Sequence, residues 1–309
     1  MDFTALLNKM VVFLVLMVIG YLLARSGKLD RGAIKALSSL TLNVFLTGSI
    51  LNSTLGTGVE LGWAELGRVF LVVWVMQLLG YLVAWLVARL MPGDREHKSL
   101  FELLMAMGNS MFVALPIVDA LFPGSRAVFY VSLSCLPFNV LLFTYGVWLL
   151  QRGRENSRLR LRDIFSIPLL AALAALVLFL LKPPVPAAVK GLISTLAGAT
   201  TPMSMLVIGA SLGSVSLLDA FRNVRLYAAS AVRLLLIPLI TWFVIGLLTQ
   251  DPVLRMTMMV VAGSPSAVVI TVMANQYDRD PVYTAEGTLQ STALSLFTIP
   301  LLVYILGNL

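Results

Sequence analysis

Apolar residues run through this chain in segments long enough to cross a hydrocarbon layer, and short polar stretches between them carry most of the charge. A spanning helix needs about 20 predominantly apolar residues. Ten segments qualify: Ala5 to Leu23, Ala33 to Leu51, Leu66 to Leu90, Leu100 to Leu121, Val128 to Leu150, Ile164 to Leu181, Val189 to Leu212, Leu226 to Leu248, Val253 to Ala274 and Val282 to Leu306. The pattern predicts an all-α integral membrane fold of ten transmembrane helices. Two of these spans, half a chain apart, are interrupted at their midpoints. Span four carries Gly108, Asn109 and Ser110 at its centre with Pro116 further on, and span nine carries Gly263, Ser264, Pro265 and Ser266. An unpaired backbone group in hydrocarbon costs roughly several kcal/mol, so non-helical backbone at that depth survives only where it lines a protein-enclosed cavity. Paired breaks therefore predict broken helices and a midplane site between structural repeats.

Composition agrees with the pattern: 59% of residues are hydrophobic and 12% charged, which excludes a soluble domain. The first segment lacks a basic leader, since only Asp2 precedes Ala5 among charged residues, and reads as a retained helix. Cys135 is the only cysteine and His97 the only histidine. That leaves no intrachain disulfide, no cluster for a metal and no nucleophile–base set at depth, so neither an enzyme nor a bound cofactor is expected.

The basic residues sort by side. Arg25, Lys28, Arg31, Lys35, Arg89, Arg95, Lys98, Arg152, Arg154, Arg158, Arg160, Arg162, Arg222, Arg225 and Arg279 fall on one face, whereas Arg68, Arg126, Lys182, Lys190 and Arg255 fall on the other. Cytoplasmic loops hold the positive excess, which puts both termini outside a plasma (inner) membrane. The chain then divides into a first five-helix repeat, 1–151, a cytoplasmic linker, 152–163, and a second repeat, 164–309. An odd number of spans per half makes the second repeat inverted. Sliding one half over the other aligns Met105 with Met259, Ser110 with Ser264, Val118 with Val272 and Ala120 with Ala274. The Arg152 to Arg162 cluster reads as a solvated cytoplasmic loop rather than a nucleic-acid site.

The breaks suit an anion. A half-helix that starts at mid-membrane carries roughly half a positive charge at its N-terminus. Ser264 followed by Pro265 reads as an N-cap with proline in the first helical position. Asn109, Ser110 and Ser266 add uncharged donors, and Gly108, Pro116, Gly263 and Pro265 mark the helix breaks. Plain kinks at the prolines, and interhelical packing by Asn109, are the alternative readings. Asp119 and Glu286 are the carboxylates considered for ion coupling. Arg233 in span eight is expected to snorkel inward, with pairing to a carboxylate or neutralising substrate charge as the alternative readings. No carboxylate falls at either midplane break, which argues against a strong sodium or divalent-metal site and leaves sodium coupling through carbonyls, proton coupling or no coupling open.

Four short patterns on these spans resemble one known family. Gly108-Asn109-Ser110 followed by Ala114-Leu115-Pro116 lies on span four, and Pro202 with Ile208-Gly209-Ala210-Ser211-Leu212 on span seven. Pro265 with Ala274 to Tyr277 lies on span nine, and Ser291-Thr292 with Thr298 to Pro300 on span ten. Together they are similar to the auxin efflux carriers, the family of bacterial carboxylate permeases and plant auxin exporters. Plant members tend to carry proline where this chain has Gly108, and many have a long central hydrophilic loop that is missing here, which favours the bacterial branch. The resemblance implies a sodium/proton-antiporter-like or bile-acid-transporter-like fold, with a scaffold from spans 1, 2, 6 and 7 and a transport domain from spans 3–5 and 8–10. It implies elevator transport of small organic anions, mono- or dicarboxylates such as malonate, malate or auxin-like acids. The rival is a sodium-coupled bile-acid-type symporter. Ser134 and Asn139 match positions where family members contact substrate. Asn43 on span two would belong to the static wall, and a homodimer through scaffold helices stays open.

Overall fold

The computed structural model describes residues 3–55, 62–91, 95–152, 167–181, 183–213, 217–277 and 279–308. Among these residues the ordered elements are helices, with no strand. Six helices are long and apolar enough to cross a membrane: Gly32–Asn52, Trp63–Leu90, Ala127–Gln151, Ala187–Gly213, Val224–Leu248 and Pro281–Gly307. Shorter apolar helices occupy Val11–Arg25, Ser110–Leu121 and Pro252–Ala262. Each lies on a predicted span. Spans four and nine yield only short pieces because their helices stop at Ala106 and Ala262 and restart at Ser110 and Val269. Of span six, Ile167–Leu181 is described, and the predicted linker beyond Arg152 lies outside the described residues.

Local chemistry sets the helix starts. Asp251 accepts from the backbone N–H of Val253 and Leu254, and Asp280 from Val282 and Tyr283, each with proline next in the chain. Carboxylate N-caps and first-turn prolines satisfy or remove donors that the helix itself leaves orphaned. Four π-helical turns, Thr41–Leu46, Ser110–Ala114, Leu142–Gly146 and Val232–Leu236, interrupt the long helices. Two of them run into helices with proline in the first turn, Pro116 and Pro238. A proline has no N–H for the preceding turn, and a wider π turn relieves the mismatch. Pro116 thus marks a π-to-α junction, and the break of span four lies upstream of it at 107–109.

The chain forms two compact units. One comprises Met1–Val69, Met111–Leu136 and Ser166–Ser214. Here the Phe3–Arg25 helix packs along Ala187–Gly213. A Cβ on Gly20 would sit 2.1 Å from the Leu206 carbonyl oxygen, and one on Gly209 only 1.9 Å from that of Met17. Small residues let these backbones touch where burial of apolar surface supplies no drive in lipid. Thr200 Oγ1 donates to the Phe45 carbonyl at 2.7 Å, within the Thr41–Leu46 π turn. Arg126 pairs with Glu65.

The second unit comprises Phe70–Ser110, Pro137–Phe165 and Val215–Leu309. Its middle is the Pro281–Gly307 helix, which packs on Leu217–Arg222, Val224–Ala231 and Val269–Gln276. Buried Gln290 on that helix donates to the Ala220 carbonyl at 3.2 Å and accepts from Ser230 Oγ at 3.1 Å. Spans four and five pass from one unit to the other at 110/111 and 136/137. Those points coincide with the break after Ala106 and with Pro137 inside the Ala127–Leu141 helix.

Candidate functional site

The two broken spans meet inside the second unit. Residues 107–109 and 263–268 leave the helical path, and Gly108 stands opposite Ser266 in an isolated antiparallel bridge. The Asn109 N–H donates to the Pro265 carbonyl at 2.7 Å, and the Ala267 N–H donates to Met107 at 2.9 Å. The breaks thus satisfy one another's backbone groups, as depth in a membrane requires.

The last four carbonyls of the Arg95–Ala106 helix are each accounted for. Leu103 accepts from the Met107 N–H at 2.9 Å and Leu104 from Ser266 Oγ at 2.7 Å. Met105 and Ala106 both accept from Nη1 of Arg233, at 3.2 and 3.3 Å. The same guanidinium reaches the end of the Pro252–Ala262 helix. Its Nε donates to the Ser264 carbonyl at 2.8 Å, and its Nη2 donates to the Val261 carbonyl and to Ser264 Oγ, both at 3.3 Å. Arg233 is 4% exposed. The expectation that it snorkels is overturned: the π turn Val232–Leu236 carries it, and two helix C-termini give its donors better partners than interfacial water would.

Gly108 makes this possible. A Cβ there would lie 1.6 Å from Nη2 of Arg233 and 2.5 Å from Ser264 Oγ. No residue with a side chain fits while the guanidinium holds its place.

The other anticipated site residues distribute as follows. Asn109 is 5% exposed with its amide nitrogen buried, and Ser110 beside it is buried and opens a π turn. Ser266 donates its N–H toward Ser291 Oγ at 3.1 Å, tying the crossing to the Pro281–Gly307 helix. Ser264 and Pro265 do not cap the second half-helix. Ser264 Oγ donates back to the Val261 carbonyl at 2.7 Å, Pro265 lies in the bridge, and helix resumes at Val269. Pairing with 107–109 keeps 265–267 extended and so delays the restart. Gly263 caps the end of the Pro252–Ala262 helix. Asn139 is buried in the same unit.

Asn43 and Ser134 belong to the other unit. There Asn43 Nδ2 donates to Ser39 Oγ at 3.0 Å, and Ser134 Oγ donates to its own helix at Val131, 2.6 Å. Asp119 is exposed and Glu286 half-buried, with Glu286 facing the amide of Asn223 at 3.5 Å. A more deeply buried carboxylate went unanticipated. Glu102, 5% exposed on the Arg95–Ala106 helix, accepts from the Tyr145 hydroxyl, and Tyr145 stacks on Trp148 and meets Tyr81 edge-on. Among the described residues no group of acidic, histidine and cysteine side chains is arranged to hold a metal ion.

Two broken helices crossing within an all-α, multi-pass chain are the architecture of a membrane transporter. The chain belongs to the membrane transport protein family, that of the auxin efflux carriers, whose model matches residues 5–303. It is 28% identical over 293 residues to an uncharacterized transporter of Methanothermobacter thermautotrophicus, covering 93% of this chain and 94% of that one. It is 24% identical over 310 residues to an uncharacterized transporter of Methanocaldococcus jannaschii, covering 98% and 99%.

Proposed function

We propose that this transporter carries small organic anions, mono- or dicarboxylates such as malonate, malate or auxin-like acids, at the crossing of spans four and nine. The observation that carries the reading is the Gly108–Ser266 bridge, which gathers Asn109, Ser110, Ser264 and Ser266 around unwound backbone in a buried setting. At such a site Asn109 and Ser110 are the side chains proposed to donate to a carboxylate, while the Ser264 and Ser266 hydroxyls donate to the Val261 and Leu104 carbonyls and the buried charge beside them is the cationic Arg233. Asn139, in the same unit, is a further proposed contact; Ser134 and Asn43 are proposed as contacts offered by the other unit, with Asp119 and Glu286 as the residues proposed for ion coupling.

The proposed motion is an elevator. Spans 3–5 and 8–10 move as the transport domain against a scaffold of spans 1, 2, 6 and 7, in two inverted five-helix repeats with both termini outside the plasma membrane. Support for this comes from the close glycine-mediated packing of spans one and seven, which suits a static wall, and from both helix breaks meeting within one compact unit, whose bounds fall inside spans four and five. For a monoanion, an inside-negative potential favours exit by about 2.3 kcal/mol per 100 mV, so uncoupled carriage exports. The test is electrogenic transport in proteoliposomes with a panel of carboxylates at two pH values, with and without sodium. Saturable carboxylate-dependent current supports the reading. Single-channel currents, or indifference to every carboxylate while other solutes move, would overturn it.

A further inference from the structure

The carbonyl oxygens at the crossing define a cation site, and Arg233 fills it. Four carbonyls, those of Met105, Ala106, Val261 and Ser264, together with the hydroxyl of Ser264, converge on its guanidinium through five hydrogen bonds. Met105, Ala106 and Val261 lie at the C-terminal ends of the Arg95–Ala106 and Pro252–Ala262 helices, and Ser264 lies two residues beyond the second. Oxygen-only sets of this kind are what hard cations take, and helix C-termini add to the attraction. Each contributes roughly half a negative charge, so the two ends together amount to about one elementary charge. One guanidinium matches that charge and uses its planar fork to reach both ends at once.

Its surroundings argue against a merely packed arginine. Among the described residues none of its hydrogen-bond partners is a carboxylate, so its charge is balanced by helix ends rather than by an acid. Gly108 leaves the space that the guanidinium occupies, with Nη2 only 1.6 Å from where a Cβ would be. The glycine and the arginine form one device, and the device closes the carbonyl cluster to a diffusible ion.

We infer that Arg233 is a tethered resident cation that replaces a bound sodium ion at the crossing. The negative helix ends are then neutralised in every state of the cycle, and the positive ends of the half-helices beginning at Ser110 and Val269 are left to face the substrate. An anion can be bound and carried without a sodium ion at this place. The inference deepens the proposed function, on which its transport consequence rests, and it removes this carbonyl cluster as a sodium site for the sodium-coupled rival.

The experiment uses the purified full chain and cations alone, so that its outcome is separable from carboxylate transport. Thermal unfolding is followed in sodium, potassium and choline chloride at equal ionic strength, for the wild type, Arg233→Ala and Arg233→Lys. The wild type should melt at the same temperature in all three salts. Arg233→Ala should melt lower in choline, recover on adding guanidinium or sodium, and not respond to an equal concentration of urea, which has nearly the shape of guanidinium but no charge. Arg233→Lys should lose less than Arg233→Ala, because it keeps a cation but not the fork. Selective stabilisation of the wild type by sodium would overturn the inference even if neither variant folds. So would an Arg233→Ala protein that is as stable as the wild type, or one that responds equally to guanidinium and urea. If these cation responses hold while no carboxylate is transported, the resident cation stands and the substrate assignment falls.

Discussion

Replacing Gly108 by alanine should unseat Arg233. The new Cβ would lie 1.6 Å from Nη2. Non-bonded heavy atoms settle at about 3.5 Å or more, so the guanidinium must withdraw by about 2 Å. The end of a long side chain usually yields cheaply, but this one is held by five hydrogen bonds at 2.8 to 3.3 Å. Nη2 alone would lose Val261 and Ser264 Oγ. Hydrogen bonds to a charged group contribute about 1.5 to 3 kcal/mol each, giving about 3 to 6 kcal/mol for two before relaxation and water recover part of it. The expected net destabilisation is about 2 to 4 kcal/mol. The assay is a double-mutant cycle on thermal or denaturant unfolding with Gly108→Ala, Arg233→Met and both together. In the Arg233→Met background the two closest guanidinium contacts are gone and of the three nearest atoms only Ser264 Oγ at 2.5 Å remains, so the methyl should cost clearly less there and the cycle should be non-additive. Equal cost in both backgrounds, or a Gly108→Ala protein as stable as the wild type, would refute the argument.

Three further outcomes are expected. Asn109→Ala should leave the protein folded and weaken carboxylate binding roughly ten- to a hundredfold, the equivalent of about 1 to 3 kcal/mol for a donor removed from a dry site, read by calorimetric titration; unchanged affinity would move the site elsewhere. Gly209→Val should lower stability by about 1 to 3 kcal/mol or more through overpacking, because even a Cβ there falls 1.9 Å from the Met17 carbonyl oxygen; an unshifted melting temperature would contradict the close packing of spans one and seven. Cysteines placed at positions 2 and 308 in a Cys135→Ser background should label from outside the cell, and labelling from the cytoplasm alone would overturn the proposed topology.

The breaks were legible because glycine, asparagine, serine and proline in the middle of an apolar run cannot be tolerated in lipid without partners, and the pairing of 107–109 with 265–267 supplies them. The detail of the second break was not. Ser264-Pro265 has the local grammar of a helix start, yet the antiparallel bridge and Ser291 compete for the same backbone and move the start to Val269. Arg233 was visible as a charge in an apolar span, but its direction depends on residues more than 120 positions away, Met105 and Ala106. A hint in the chain was Gly108, a residue whose missing side chain leaves the space that the guanidinium fills. Glu102 sits near the end of its predicted span, which reads as wet. Its hydrogen-bond partner, Tyr145, lies 43 residues on, where no local pattern reveals it.

Binding and carriage of a carboxylate at the crossing can be tested without any membrane potential. The most direct measurement is counterflow in proteoliposomes: vesicles loaded with an unlabelled small carboxylate, diluted into a trace of the labelled acid, with wild-type and Asn109→Ala protein reconstituted side by side. Wild-type vesicles should accumulate label transiently above equilibrium in sodium-free buffer, and Asn109→Ala vesicles should not. Equilibration without overshoot, overshoot only in sodium, or an undiminished overshoot in a folded Asn109→Ala protein would contradict carriage at the crossing.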